Sequence, residues 1–325
     1  MDAVVIGLGS MGRRRIRLMK NLPGIGRVAG VDLSSERREQ TRDEFGVETF
    51  GSLSDAMATV HPCLAFVCSS PGTHGQIVLD CLKYRLNVFT EINLISGWYE
   101  EAMAFAKRQG VKMFLSSTFL YRKEIEYVAN AIRGERVNYI YHSGQYLPDW
   151  HPWEDYRNFF VSQKRTNACR EILAIELPWI VKTFGDIADV HTMSDKLSSL
   201  DIEFNDNYII SIKHWNGNKG VFCQDVVSRV GLRHLEVFSE NVHIFWRGTP
   251  GTLQAFDLKS HKLNDIMVYE SITHDANYSA NIIENAYLDE IRAFVRYVQE
   301  GVVPIYGYAE DKAILDLIDE IEEVR

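Results

Sequence analysis

The sequence predicts an α/β fold in two parts: an N-terminal doubly wound parallel sheet over residues 1–118 and a C-terminal α+β domain over 119–325 with a large open, mainly antiparallel sheet. Three observations carry this reading. Up to about Ser117, short apolar runs alternate with amphipathic stretches, the rhythm of βαβ units whose parallel strands are buried on both faces. A glycine-rich segment stands at the first strand-to-helix transition. Beyond Ile187, strand-forming runs recur between turn residues such as Asn216, Gly217 and Asn218. At 325 residues the chain is long enough for two cores of ordinary size.

Taken in order, the first domain reads as strands at Ala3 to Ile6, Val28 to Val31, Leu64 to Cys68, Asn87 to Thr90 and Lys112 to Leu115. Between them lie helical patterns at Met11 to Lys20, Ser35 to Glu44, Ser52 to Val60, Gly75 to Tyr84 and Tyr99 to Gln109. A helix over Lys123 to Arg133 then leads to a strand-like run, Val137 to Tyr146. Ala168 to Phe184 reads as a helix closed by Gly185, with Pro178 expected to kink it. Strands are expected at Tyr208 to Trp215, Gly220 to Val227, Leu232 to Phe238 and Val242 to Arg247. Helices at Ile282 to Gln299 and Ala309 to Val324 close the chain, the terminal one a candidate to pack back on the first domain.

Composition narrows the function. A formal charge of −9 argues against a broad nucleic-acid footprint, since phosphate backbones need clustered positive charge; Arg13, Arg14, Arg15 and Arg17 form the one local basic run. Five cysteines without a CxxC pair signal neither a disulfide framework nor a zinc site, and no histidine spacing supports a metal. The start, MDAVVIGLGS, reads as a first strand and not a signal peptide, and no apolar run approaches the roughly 20 residues of a membrane span. A cytoplasmic protein is expected.

Gly7-Leu8-Gly9-Ser10-Met11-Gly12 follows the first strand and opens the first helix, the setting in which GxGxxG has chemical meaning. The first glycine allows the tight turn, the second a close backbone approach to a pyrophosphate, and the third close packing of helix on strand, while the helix N-terminus offers unpaired N–H groups. Asp32 lies 20 residues after Gly12, at the end of the second strand. A carboxylate there accepts hydrogen bonds from ribose hydroxyls and repels a 2′-phosphate, so NAD is expected over NADP, with Arg37 and Arg38 as the residues that would favour NADP.

Further motifs resemble the Gfo/Idh/MocA family of nicotinamide-dependent oxidoreductases. Cys68-Ser69-Ser70-Pro71 followed by His74 is similar to the family's strand-end segment beside the nicotinamide ribose. Asn87-Val88-Phe89-Thr90-Glu91 is similar to the run into its Glu-Lys-Pro signature, and Leu120-Tyr121-Arg122 stands where the chain crosses into the second domain. The resemblance implies that Gly7, Gly9, Ser10, Met11, Gly12, Asp32, Ser69, Ser70, Pro71, His74 and Glu91 hold the cofactor, and that the C-terminal sheet pairs in a homodimer or homotetramer. Two departures stand out. Glu91-Ile92-Asn93 replaces Glu-Lys-Pro, and counting back from Gly185 sets Glu171 at the family's acid and Ile175 at its histidine. A one-residue shift would bring Glu176 to that place.

Proton handling must then come from elsewhere. The segment Tyr146 to Arg157 holds two prolines, four aromatic residues and His151, whose ordinary pKa suits transfer near neutrality. His151, Tyr156, Glu176 and Glu91 are the candidate catalytic residues, and Asn93, Arg122, Trp150 and Trp153 the candidate contacts to a small polyhydroxylated substrate, a sugar or sugar acid. Three activities fit: hydride transfer between substrate and NAD(H), an inactive NAD- and sugar-binding sensor or partner protein, or a redox-neutral lyase or epimerase with tightly held NAD.

Overall fold

The computed structural model describes residues 1–150, 155–274 and 282–323. It divides into two units: Met1–Thr118 with Ala286–Lys312, and Phe119–Asn285 with Ala313–Arg325. The first unit is thus discontinuous, unlike the contiguous stretch 1–118, because a C-terminal segment returns to it.

The first unit holds a six-stranded, all-parallel sheet of β1 (Ala3–Ile6), β2 (Val28–Val31), β3 (Glu48–Phe50), β4 (Leu64–Val67), β5 (Asn87–Thr90) and β6 (Met113–Leu115). Their order is β3-β2-β1-β4-β5-β6, the doubly wound order with its switch point between β1 and β4. Helices α1 (Ser10–Met19), α2 (Ser35–Phe45), α3 (Leu53–Val60), α4 (His74–Lys83) and α5 (Tyr99–Gln109) alternate with the strands. β1, β2 and β4 are buried throughout, as their unbroken apolar runs require. Ser34 and Ser52 cap α2 and α3 by accepting the N–H groups of Arg37 and Asp55. On one side of the sheet, Phe66, Phe89 and Phe114 meet Phe294 of the returning helix α8 (Glu284–Glu300), with ring centroids 5.5 to 5.8 Å from it.

The second unit opens with α6 (Lys123–Ala131) and carries an eight-stranded sheet: β7 (Asn138–Gly144), β8 (Ile187–Asp195), β9 (Asn207–His214), β10 (Lys219–Asp225), β11 (Leu232–Phe238), β12 (His243–Trp246), β13 (Gln254–Asp257) and β14 (Lys262–Asp265). The order is β14-β13-β12-β11-β7-β10-β9-β8, antiparallel except for the β7/β10 pair. The long helix α7 (Ala168–Phe184) covers one face, where Trp179 meets Tyr141 edge-on and Phe184 stacks on Tyr139. Gly220 is required here: a Cβ would lie 2.0 Å from the Tyr139 ring. The other face leaves Ile140, Ile209 and Met193 exposed. The last helix, α9 (Tyr308–Glu323), ends the described chain.

The structure departs from the sequence reading at the sheet edges. β3 reads Glu-Thr-Phe and β14 Lys-Leu-Asn-Asp, so neither shows an apolar run, since each pairs on one side alone. Helix α7 runs through Pro178 without a break in its helical span, with Leu177, Pro178 and Trp179 all buried.

Candidate functional site

The glycine-rich turn joins β1 to α1 at the C-terminal edge of the parallel sheet. Gly7 has φ +93°, and a Cβ there would sit 2.7 Å from the Ser69 nitrogen, so both conformation and space demand glycine. A Cβ on Gly12 would lie 1.9 Å from the Gly7 carbonyl oxygen, the close helix-to-turn approach expected of the third glycine. Gly9 differs. It meets nothing within 4 Å, so its missing side chain leaves open space over the N-terminus of α1, whose first turn carries no acidic residue. First-turn N–H groups, the positive end of the helix dipole and unfilled space together suit a pyrophosphate.

Asp32 follows β2. Its Oδ2 accepts the Leu8 N–H at 2.7 Å, and its Oδ1 the Ser34 N–H at 2.8 Å. Two backbone donors fix the carboxylate beside the glycine turn and leave lone pairs for ribose hydroxyls. Arg38 is committed to the carbonyls of Asp32 and Leu33, while the Arg37 guanidinium lies 3.9 Å from Asp32 Oδ2. The residues present therefore fit an adenine dinucleotide, with Ser10, Met11 and Gly12 in the first turn of α1 and Ser69, Ser70 and Pro71 at the end of β4, the strand next to β1.

His74, at the start of α4, is fully buried, with Nδ1 2.6 Å from Asn93 Oδ1 and Nε2 2.9 Å from the Ser69 carbonyl. Burial lowers its pKa, and the ring ties the end of β4 to that of β5. Asn93, expected at substrate, is 1% exposed, with its Oδ1 against that ring. Glu91, expected among the catalytic groups, is 9% exposed. Arg15 takes both its oxygens, at 2.6 and 3.1 Å, and reaches Glu290 Oε2 at 2.8 Å and the Tyr287 carbonyl at 3.0 Å. Burial works against the Arg15 charge, but Glu91 and Glu290 outweigh it and hold the guanidinium above its usual pKa. The local basic run is thus partly internal, since Arg14 and Arg15 are both buried. Arg15 and Glu290 were not foreseen as partners; the position of Arg15 on the inward face of α1, three residues after Gly12, was the available sign. The Cys68 thiol is pushed up by burial and by Glu91, so it is no nucleophile.

In the second unit, Glu176 is fully buried and accepts from Trp179 Nε1 (2.6 Å), Tyr141 Oη (2.8 Å), Arg233 Nε (2.9 Å) and Ser143 Oγ (3.4 Å). Four donors spend its lone pairs on the sheet, so it is an anchor and not the expected proton acceptor. Arg122 is likewise corrected: 3% exposed, it pairs with Glu124 at 2.7 and 3.0 Å and donates to the Gly248 carbonyl. Tyr156 Oη accepts the Asp201 N–H, and Trp150 Nε1 donates to the Gln145 carbonyl. His151 and Trp153 lie outside the described residues. Ile92 and Ile175 are partly buried, and neither handles protons. Among the described residues no group of three His, Cys, Asp or Glu side chains is placed to hold a metal ion, and no helix is long and apolar enough to cross a membrane.

Residues 1–117 match the family model of Gfo/Idh/MocA proteins, described as an oxidoreductase family with an NAD-binding Rossmann fold. A 4-carboxy-2-hydroxymuconate-6-semialdehyde dehydrogenase from Sphingobium sp. is 22% identical over 135 residues, 41% of this chain and 43% of that protein, so the chain matches less than half the length of this curated relative. Two solved structures share the fold over nearly the whole chain. One is an oxidoreductase from Agrobacterium radiobacter in complex with NAD+, L-tartaric acid and magnesium, with TM-score 0.84, 13% identity and coverage of 98% of this chain and 94% of the other. The second is the myo-inositol 2-dehydrogenase from Lactobacillus plantarum, with TM-score 0.77, 17% identity and coverage of 99% and 96%. Its glycine turn, its paired carboxylate and the sheet that positions them all lie within residues 1–117, the part of the chain that matches the Gfo/Idh/MocA oxidoreductase model with its NAD-binding Rossmann fold.

Proposed function

We propose that the chain is an NAD(H)-dependent oxidoreductase that oxidises or reduces a carbon of a small polyhydroxylated substrate, a sugar or sugar acid. The observation that carries it is the open space at Gly9 over the α1 N-terminus, beside an Asp32 carboxylate already held by the Leu8 N–H. When bound, NAD supplies the hydride-accepting or hydride-donating carbon. The protein's own contributions are then separable. Gly7, Gly9 and Gly12 admit the pyrophosphate, Asp32 selects the unphosphorylated ribose, and Ser69, Ser70 and Pro71 carry the backbone past the end of β4. Arg15 and His74 hold the strand ends that these residues follow. The substrate class draws support from the inositol dehydrogenase and from the tartaric acid bound to the Agrobacterium protein. Self-association through the open face of the eight-stranded sheet, as a homodimer or homotetramer in the cytoplasm, completes the reading; Ile140, Ile209 and Met193 are its apolar centre.

Titration calorimetry with NADH and NADPH tests the cofactor, and NADH formation from NAD with myo-inositol or L-tartrate tests the reaction. Heat with NADH but not NADPH, with turnover of either probe, is expected. Absence of any nucleotide heat defeats the reading. The isoleucines at 92 and 175 favour a second reading, a nucleotide-binding sensor without turnover, for which NADH heat without reduction of NAD by a wide polyol panel is the signature.

A further inference from the structure

A chain of buried polar side chains runs through the first unit from the end of β4 to the returning segment. His74 Nε2 lies 2.9 Å from the Ser69 carbonyl, and Nδ1 2.6 Å from Asn93 Oδ1. The other end of the Asn93 amide stands beside the Tyr99 hydroxyl, yet among the described residues its Nδ2 closes no hydrogen bond. Tyr99 donates to Asp311 Oδ2, and Tyr306 to Asp311 Oδ1 at 2.8 Å. His74, Asn93, Tyr99 and Asp311 are all buried. The Ser69 end bears on the nucleotide site, because a Cβ on Gly7 would sit 2.7 Å from the Ser69 nitrogen: this peptide is the wall against which the glycine turn folds.

Hydrogens can be counted along the chain. Four contacts join Ser69, His74, Asn93, Tyr99 and Asp311, and each needs one hydrogen. A neutral imidazole, the donor end of an amide and a phenol bring three. With Asp311 ionised and the ring neutral, one contact is therefore always empty. As the amide stands, a hydrogen must lie between Nδ1 and Oδ1, which leaves Nε2 bare before the Ser69 carbonyl. A proton on Asp311, with a half-turn of the Asn93 amide, fills every contact. Asp311 then donates to Tyr99, Tyr99 to Asn93 Oδ1, Asn93 Nδ2 to His74 Nδ1, and His74 Nε2–H to Ser69.

We propose that Asp311 is a positioning residue of the nucleotide site: one proton held by this chain lets His74 donate to Ser69 and so fixes the peptide on which the glycine turn rests. The role depends on nucleotide binding by the first unit and not on oxidation of a sugar. Burial pushes the Asp311 carboxyl up to about 6 against the pull of Tyr99 and Tyr306, and burial lowers His74, so the proton sits at the Asp311 end. The groups around both ends agree with this. Asp311 is faced by the phenols of Tyr99 from α5 and of Tyr306 and Tyr308, all kept neutral by burial, and Glu310 and Lys312 flank it in the chain. His74 is faced by Glu91, whose charge Arg15 meets. Nucleotide binding, which needs the turn in place, is thereby linked to uptake of a proton from solvent.

Calorimetric titration of the full chain with NAD, at pH 5.5 and pH 8 and in buffers of differing ionisation enthalpy, tests the role. Wild type should take up part of a proton on binding and bind about three- to tenfold more tightly at pH 5.5, the range of one hydrogen bond made or lost. Asp311→Asn carries the missing hydrogen permanently while its Oδ1 still accepts from Tyr306. Its affinity should match the wild-type pH 5.5 value at both pH values, without proton uptake. Tyr99→Phe cuts the chain and should bind at the weaker pH 8 level throughout. Nitrogen NMR of the His74 ring gives a readout apart from affinity: the Nε2–H form with Nδ1 as acceptor at both pH values in Asp311→Asn, and only at pH 5.5 in wild type. A wild type that binds NAD with equal affinity and no proton change at both pH values overturns the assignment, whether or not either variant folds. So does an Asp311→Asn that weakens NAD binding as much as Tyr99→Phe. Absence of any NAD heat in wild type overturns the nucleotide site itself and this role with it.

Discussion

Replacing Arg15 by methionine probes the interior of the first unit most severely. The guanidinium is fully buried and donates to Glu91, Glu290, Ser116 and the Tyr287 carbonyl, with its carbon 4.5 Å from the Phe89 ring centroid. Removing one partner of a buried ion pair costs about 3 to 5 kcal/mol, because the other charge is left uncompensated. Here two carboxylates lose the same cation. Two like charges roughly 5 Å apart repel by about 3 kcal/mol at an effective dielectric near 20, so the total at pH 8 is about 6 to 8 kcal/mol, comparable to the whole stability of a domain. Burial, opposed by Arg15 and reinforced by Glu91, already holds the Glu290 carboxyl above its ordinary pKa. Without Arg15 the folded-state pKa of Glu290 rises further above the unfolded value. The variant therefore binds protons more tightly when folded and regains stability as pH falls. A cost reduced by about 3 kcal/mol near pH 5.5 is expected, and adding Glu290→Gln should recover a similar amount at pH 8. Amide hydrogen exchange of β5 at the two pH values measures it. A loss under about 1 kcal/mol, or one that does not change with pH, refutes the view that Arg15 neutralises two buried carboxylates.

Three further outcomes follow from the geometry. Gly9→Ala, with open space around its Cβ, should keep the wild-type melting temperature while losing at least about tenfold in NADH affinity by calorimetry; Gly12→Ala, whose Cβ meets the Gly7 carbonyl, should fail in both. Asp32→Ser removes the carboxylate that opposes a 2′-phosphate and leaves Arg37 nearby, so the NADH-to-NADPH affinity ratio should fall by about tenfold or more. Glu171→Gln should stabilise the chain. The folded carboxyl is raised from 4.5 to about 7, so the wild-type penalty is fully present above pH 7 and gone below about 4.5; urea titration should show a gain of about 2 kcal/mol at pH 8, reduced from the full shift because the group is only part-buried, and none at pH 4.5.

The sequence made the first unit legible because its signals are local. Gly7, Gly9, Gly12 and Asp32 act through backbone conformation and short-range contacts, which spacing reports directly. Strands such as Ala3–Ile6 are buried on both faces and read as unbroken apolar runs. β3 and β14 escaped notice because an edge strand pairs on one side and needs no such run. The candidate site was less legible for a different reason. Whether a glutamate is an anchor or a proton carrier depends on which donors reach it from distant strands, and Tyr141, Ser143 and Arg233 come to Glu176 from β7 and β11. Sequence spacing along α7 holds no trace of them. Arg15 and Glu290, 275 residues apart, were hidden by the same rule.

The return of residues 286–312 to the first unit has a consequence for biosynthesis. When the ribosome has made the stretch through Thr118, all six parallel strands exist, yet Arg15 lacks its second carboxylate and the Phe66, Phe89 and Phe114 rings lack the cover of Phe294. Tyr308, which meets Thr90, and Asp311, which accepts from Tyr99, emerge later still. The nucleotide-binding unit is therefore begun first and completed only near the end of the chain. For most of translation the nascent chain must carry a half-neutralised interior cation and a bare aromatic surface, and it is in that interval that chaperones have most to protect.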